Sequence, residues 1–148
     1  MTGERVEHAA ERPSLAELTA GDLMTREVTT VDPAATVGEA MAKMRTLGVR
    51  HLPVVAEGRF AGLVDDRLVA LALLAGTDPA AALELPVTTA MTHYVPQIGP
   101  DVDLQRIAHL LRTSRYDALV VIDGDEALMG IITMVDVVAA VARDRGSH

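Results

Sequence analysis

Apolar and polar positions alternate along the chain with two different periods, which predict amphipathic helices separated by short strands. The first helix is predicted after Thr36, because apolar residues recur at helical spacing from Val37 to Leu47. Glu39 stands three residues after Thr36, the spacing of a capping box, and Gly48 is a helix-ending residue. The pattern therefore predicts a helix bounded at both ends.

Apolar runs around this helix complete a first block. Strands are predicted at Val28–Val31, Leu52–Val55 and Phe60–Val64, and a closing helix at about Arg67–Leu74. Asp32-Pro33 is a turn signal after the first run, and Glu57-Gly58 is the predicted hairpin turn between the other two. The block thus has the order β-α-β-β-α.

The same order returns in the second half of the chain. Strands are predicted at Tyr94–Ile98, Ala118–Ile122 and Leu128–Ile132, with helices after Asp103 and over Thr133–Ala142. The segment Asp123-Gly124-Asp125 is the predicted hairpin turn, and Gly76-Thr77-Asp78-Pro79 separates the two blocks.

The two blocks are copies of one another. A shift of 67 positions pairs Met24 with Met91, Thr25 with Thr92 and Leu52 with Leu119; one added residue then pairs Gly62 with Gly130. An internal repeat of this kind predicts an α/β (α+β) fold in which two β-α-β-β-α units pack about a pseudo-twofold axis. The predicted boundaries are a disordered tail at 1–14, repeat 1 at 15–76 and repeat 2 at 77–144.

Composition narrows the functional classes. With 13 Lys and Arg against 21 Asp and Glu, the net charge of −8 argues against nucleic acid as a partner. The longest apolar run, Leu68 to Ala75, is too short to span a membrane, and the first residues do not resemble a signal peptide, so a cytoplasmic location is expected. No nucleophile motif or metal-ligand spacing occurs, so we expect neither an enzyme nor a metal site.

Three motifs carry a resemblance to a known family. They are Asp22-Leu23-Met24-Thr25, the stretch from Gly48 to Val55 (GVRHLPVV), and the stretch from Gly130 to Val138 (GIITMVDVV). In this order and in two copies, they resemble the tandem cystathionine-β-synthase (CBS) domain pair, or Bateman module, over roughly residues 18–143. The resemblance implies a stand-alone regulatory module that requires no cofactor and binds adenosine-containing ligands such as AMP, ADP, ATP or S-adenosylmethionine.

The resemblance places the ligand at the second closing helix. Asp136 would accept hydrogen bonds from the ribose hydroxyls, and Thr133 would present a hydroxyl at the helix start, where backbone amides favour phosphate. The other interpretation is that Thr133 only caps the helix and Asp136 is a solvated residue near its positive end.

Further binding residues follow from the same resemblance. Val95, Pro96, Tyr116 and Ala118 are candidates for adenine contact, and Tyr116 could stack on the ring or be a half-buried edge residue. Arg50 and His51 stand where family members often carry a basic pair. They would reach a phosphate held by the second copy, or lie at the surface and at a strand end.

The first copy departs from the motif: either Asp65 and Leu68 stand where the Thr and the ribose-binding Asp are expected, or one residue is deleted there. At most one well-formed site per chain is therefore expected. The alternative function is a ligand-free module that dimerises or docks onto an enzyme or transporter. In either case the resemblance implies a homodimer through helix faces, and the sequence does not identify the regulated protein.

Overall fold

Two three-stranded sheets with helices packed against them form the molecule, in a computed structural model that describes residues 14–146. The helices are α1 (Ala20–Leu23), α2 (Val37–Leu47), α3 (Asp66–Leu74), α4 (Pro79–Ala82), α5 (Leu104–Thr113) and α6 (Met134–Gly146). The strands are β1 (His51–Ala56), β2 (Arg59–Asp65), β3 (Met91–Thr92), β4 (Gln97–Ile98), β5 (Ala118–Ile122) and β6 (Leu128–Thr133). The predicted α/β class is confirmed, and the predicted tail lies outside the described residues apart from Ser14.

Each sheet is built around an antiparallel hairpin, as predicted. The strand orders are β1-β2-β3 and β4-β5-β6. Glu57 and Gly58 form the first hairpin turn with φ of 53° and 79°, the left-handed pair that a two-residue turn of this hand requires. A register irregularity falls between Val54 and Val55 in β1 and between Val121 and Ile122 in β5. These positions correspond under the 67-residue shift, so the repeat extends to the detail of strand pairing.

The predicted first strand of each repeat is wrong in length. Over Val28–Val31 the chain forms only one parallel bridge, between Val31 and Val54, and of Tyr94–Ile98 only β4 is strand. The N–H of Val28 donates to the carbonyl of Arg26 two residues earlier, which is a local turn. Pro96 has no N–H to donate, although its carbonyl accepts from Val120. A local turn in the first run and the proline in the second therefore limit strand pairing to the last residues of each run.

The segments that lead into the two repeats exchange partners. Strand β3, near the start of repeat 2, pairs antiparallel with β2 of repeat 1. Thr25, near the start of repeat 1, forms an antiparallel bridge with Ile131 in β6 of repeat 2. These two pairings correspond under the repeat shift, and neither β3 nor the exchange was predicted from the sequence.

Three apolar clusters hold the halves together. One joins Ala20, Leu23 and Met24 to the core of repeat 2, and another joins Val87 and Ala90 to the core of repeat 1. The third lies between the sheets and contains Leu63, Val95, Ala118, Val120 and Ile131. Because each repeat buries the lead-in segment of the other, the two repeats complete one another's cores.

Helix starts follow the predicted caps. The N–H of Glu39 donates to the Thr36 hydroxyl at 3.0 Å, and the N–H of Thr36 donates to the Glu39 carboxylate at 3.1 Å, which confirms the capping box. Gly48 ends α2 in the left-handed region with φ of 68°. Asp103 caps α5 by accepting from the N–H of Arg106 at 2.8 Å.

Candidate functional site

The start of α6 presents a carboxylate with a fixed orientation. Thr133 is the last residue of β6, and Asp136 lies in the first turn of the helix that follows. The backbone N–H of Thr133 donates to Asp136 Oδ2 at 2.8 Å, and the Thr133 hydroxyl lies 3.5 Å from the same oxygen. Both residues are half-buried. The Asp136 carboxylate therefore accepts from the backbone N–H of the residue that precedes α6.

Asp136 also contacts a residue from the other end of the chain. The Thr25 hydroxyl donates to Asp136 Oδ1 at 2.8 Å. The bridge between Thr25 and Ile131 brings this hydroxyl into place, with N–H to carbonyl distances of 2.9 and 3.1 Å in the two directions. Thr25 could not be assigned to the site from the sequence, because its 111-residue separation from Asp136 is closed only by the exchanged pairing.

Asp136 lines an open cleft of about 580 Å³, within the size range of small-ligand sites. Its first wall is the stretch from Thr25 to Thr29 without Arg26, and its second is the stretch from Leu47 to Leu52. The third wall holds Ile131 and residues 133–136, and Asp117 completes the rim. We call this volume the repeat-2 cleft, because it contains the start of α6. Its walls come from both repeats.

Arg50 and His51, the predicted basic pair, both line this cleft. The Nε of Arg50 donates to Asp66 Oδ2 at 3.1 Å, with 69% and 49% of the two side chains exposed. His51 Nε2 lies 2.8 Å from the carbonyl oxygen of Tyr116. Since a carbonyl oxygen only accepts, the proton is assigned to Nε2. His51 thus links the two repeats at the base of the cleft.

The four residues predicted to contact adenine do not line the repeat-2 cleft. Val95 and Ala118 are buried in the cluster between the sheets, and Tyr116 packs against that cluster. Under the repeat shift, Val95, Pro96, Tyr116 and Ala118 correspond to Val28, Thr29, Val49 and His51, all of which do line the cleft. The predicted adenine contacts thus lie outside the cleft that contains Asp136, whereas their equivalents in the other repeat lie inside it.

The pseudo-symmetric position, which we call the repeat-1 cleft, has different chemistry. Asp65 is buried and accepts from the N–H of Leu68 at 2.8 Å, so its carboxylate caps α3. Arg67 Nη1 donates to the carbonyl of Arg115 at 3.0 Å. Under the repeat shift, Arg67 and Arg115 correspond to Val135 and Gly48, which line the repeat-2 cleft. At this position the Arg67 guanidinium therefore links the equivalents of two residues that line the repeat-2 cleft.

Residues of the repeat-2 cleft fit an adenosine ligand chemically. The two oxygens of Asp136 offer about four acceptor positions, of which the Thr25 hydroxyl and the Thr133 N–H take one each at 2.8 Å, so positions remain for ribose hydroxyls. Met134 and Val135 line the cleft at the start of α6, where the N–H groups of a first helical turn point outward without intrahelical partners. Acceptor and donor groups for a ribose and for one phosphate thus converge here.

Residues 14–146 contain neither a membrane-spanning helix nor a cluster of metal-binding side chains. No helix in this range is long and apolar enough to cross a membrane. Within the same range, no group of His, Cys, Asp or Glu side chains has the geometry to hold a metal ion.

Two repeats of similar structure that exchange lead-in segments and share a cleft define a tandem-repeat module. The family model for the CBS domain matches residues 20–75 and again 87–143, so the chain belongs to the CBS domain family. The resemblance to a CBS pair is thereby confirmed.

Known proteins agree with this assignment. The CBS domain-containing protein YhcV of Bacillus subtilis is 31% identical over 116 residues, which are 78% of this chain and 79% of YhcV. The solved structure of CBSX2 in complex with AMP, a CBS-pair protein of Arabidopsis thaliana, superposes with a TM-score of 0.75. The match has 28% identity and covers 86% of this chain and 98% of CBSX2.

A similar stretch also occurs inside a larger enzyme. The inosine-5′-monophosphate dehydrogenase of Methanocaldococcus jannaschii is 30% identical over 118 residues, which are 80% of this chain and 22% of that enzyme.

Proposed function

We propose that the chain is a regulatory module that binds one adenosine-containing ligand, such as AMP, ADP, ATP or S-adenosylmethionine, in the repeat-2 cleft. The observation that carries the proposal is the Asp136 carboxylate, held at the cleft by Thr25 and Thr133. A pair of ribose hydroxyls is bound well by a fixed charged acceptor of this kind. The AMP complex of CBSX2 supports an adenine nucleotide as the ligand class.

Each wall of the cleft has a role in this proposal. Asp136 accepts from the ribose hydroxyls, and the start of α6 attracts a phosphate through its N–H groups and helix dipole. Arg50 offers its remaining guanidinium N–H groups to the same phosphate. Val28 and Val49 supply apolar side chains against which an adenine ring can pack.

Regulation follows from the shared walls. A ligand that contacts Asp136 also contacts the segment that begins at Thr25, so its affinity depends on how the two repeats are packed. A ligand with different affinities for two packings shifts the population between them. We propose that the chain acts in this way, by binding rather than by catalysis, and that its location is cytoplasmic.

A second candidate function is a ligand-free interaction module. The closing helices expose apolar side chains, with Leu71 and Leu74 on α3 and Val135 and Val138 on α6. Exposed apolar faces are typical of interaction surfaces, and a homodimer through these helices is the simplest use of them. Docking onto an enzyme or transporter is the other use, and the family stretch inside a dehydrogenase supports it.

Calorimetric titration with AMP, ATP and S-adenosylmethionine tests the main proposal. We expect at least one to bind the unmodified chain and the control Asp101→Ala, which alters an exposed carboxylate outside the cleft. Asp136→Ala and the milder Asp136→Asn should lower the affinity by roughly tenfold or more. Unchanged affinity in both would refute the site, provided that thermal unfolding shows both variants folded.

The second candidate has its own test in light scattering. A dimer whose mass is independent of all three ligands, in a chain that binds none of them, supports the ligand-free module. A monomer at micromolar concentration contradicts the homodimer.

A further inference from the structure

The charged groups around the repeat-2 cleft are mostly acidic. Glu27, Asp117 and Asp136 line it, against one guanidinium from Arg50 and the imidazole of His51. Asp136 has its partners in Thr25 and Thr133, whereas Glu27 and Asp117 are exposed at the rim. An incoming anion therefore meets two rim carboxylates in addition to a chain that carries a net charge of −8.

The positive charge of Arg50 is already paired with the carboxylate of Asp66. Asp66 is held beside it by two contacts, since the Arg50 Nε donates to the Asp66 carboxylate and the Asp66 N–H donates to the Arg50 carbonyl, both at 3.1 Å. The guanidinium has five N–H donors, so it can still bind one phosphate group. Because the Asp66 carboxylate offsets part of the Arg50 charge, little positive charge remains to attract a second or third phosphate.

One ring nitrogen of His51 is already engaged. Its Nε2 is committed to the Tyr116 carbonyl at 2.8 Å, so that nitrogen is not available to a phosphate. The N-terminus of α6 supplies a partial positive charge, which falls off within the first helical turn. One phosphate close to α6 and Arg50 is therefore favoured, and a chain of phosphates that reaches the rim is not.

We infer that the repeat-2 cleft selects adenosyl ligands that carry no more than one phosphate group and discriminates against the di- and triphosphate. The inference rests on the proposed function and specifies how many phosphate groups the bound ligand carries. Glu27 and Asp117 are the specificity-determining residues, and they act by repulsion of the second and third phosphates.

Calorimetric titration of the full chain with AMP, ADP and ATP, in a buffer free of magnesium, measures the discrimination. We expect the dissociation constant to rise from AMP to ADP to ATP, with a total ratio of roughly fivefold or more at low salt. The ratio should shrink at high salt, because the rim carboxylates are exposed and screened. ATP binding as tightly as AMP, or more tightly, overturns the inference and leaves the proposed function intact. Binding by none of the three overturns the inference, and if S-adenosylmethionine does not bind either, the proposed function is overturned with it.

Charge-neutralising variants test whether Glu27 and Asp117 cause the difference in affinity between AMP and ATP. The double variant Glu27→Gln, Asp117→Asn should bind ATP more tightly and reduce the ratio severalfold, with a smaller change for AMP. Asp117 has a φ of 54°, which asparagine also tolerates, so its replacement leaves the backbone unstrained. Asp125→Asn removes one charge from the exposed turn between β5 and β6, and this control should leave the ratio unchanged. An unaltered ratio in the double variant contradicts the assigned residues.

Discussion

The hydroxyl of Thr25 donates a hydrogen bond to Asp136 Oδ1 at 2.8 Å, across 111 residues of chain. The contact joins the lead-in segment of repeat 1 to the first turn of α6 in repeat 2. It therefore connects the carboxylate proposed to bind a ligand with the packing of the two repeats. The cleft is therefore built jointly by the exchanged segment and by residues of both repeats.

Removal of the Thr25 hydroxyl should weaken this connection. Thr25→Val keeps the side-chain shape and is expected to lower the free energy of unfolding by about 1 kcal/mol, the net contribution of one such hydrogen bond. Thermal or urea unfolding measures the loss. Thr29→Val is the matched control, because Thr29 lines the same cleft and is exposed. Equal stability of the two variants would show that the bond contributes nothing.

Close packing of the exchanged segment predicts a strict requirement at Gly130. A Cβ atom there would lie 2.7 Å from the carbonyl oxygen of Thr25 and 2.8 Å from Met24 Cγ. The bridge with Ile131 fixes that carbonyl, so Gly130→Ala should cost roughly 2 kcal/mol of stability.

The control for this substitution is Gly124→Ala. No atom lies within 4 Å of a Cβ at Gly124, and its change in stability should stay within about 0.5 kcal/mol. Urea unfolding measures the free energy of unfolding of both variants. Equal stability of Gly130→Ala and Gly124→Ala would contradict the close approach at Gly130.

The Arg67 guanidinium at the repeat-1 cleft predicts one ligand per chain. Arg67→Ala alone should leave the calorimetric stoichiometry at one, because Asp65 caps α3 and Leu68 offers no acceptor for ribose. The combined change Asp65→Thr, Arg67→Val, Leu68→Asp copies the repeat-2 residues, and threonine retains a helix cap. We expect this variant to gain a second, weaker binding event. Two ligands bound to the unmodified chain would contradict the account.

The contacts of Glu17 with Ser14 predict how the stability of this segment depends on pH. Hydrogen bonds from the Ser14 hydroxyl at 2.7 Å and the Ser14 N–H at 3.1 Å hold the pKa of Glu17 below its ordinary value of 4.5. Because the folded pKa is the lower one, the stabilisation is complete above about pH 4.5 and is lost as the pH falls through the folded pKa. Ser14→Ala should raise the Glu17 pKa towards 4.5 in an NMR titration. An unchanged titration curve would show that the capping contacts do not form in solution.

Much of the fold follows from local signals in the sequence. Thr36, Glu39 and Gly48 bound α2 through hydrogen bonds within a few residues of one another, and Glu57-Gly58 determines its own turn. The position of Thr133 and Asp136 at the start of α6 follows in the same way. Caps and turns are short-range features, so periodicity and residue type are enough to predict them.

The walls of the cleft could not be predicted in this way. Val28 and Val95 are equivalent in the repeat, yet only Val28 lines the repeat-2 cleft. The choice between them depends on which lead-in segment pairs with β6, and that pairing is set by packing between residues more than a hundred positions apart. Repeat symmetry identifies the pair of candidates, and only the tertiary structure selects one of them.

The central claim is that one adenosine ligand binds in the repeat-2 cleft with its ribose on Asp136. A crystal structure of the chain grown with AMP tests it most directly. We predict one AMP per chain, with its ribose hydroxyls within hydrogen-bond distance of the Asp136 carboxylate and its base beside Val28. An AMP molecule in the repeat-1 cleft beside Arg67, or a repeat-2 cleft without AMP at saturating concentration, would contradict the account.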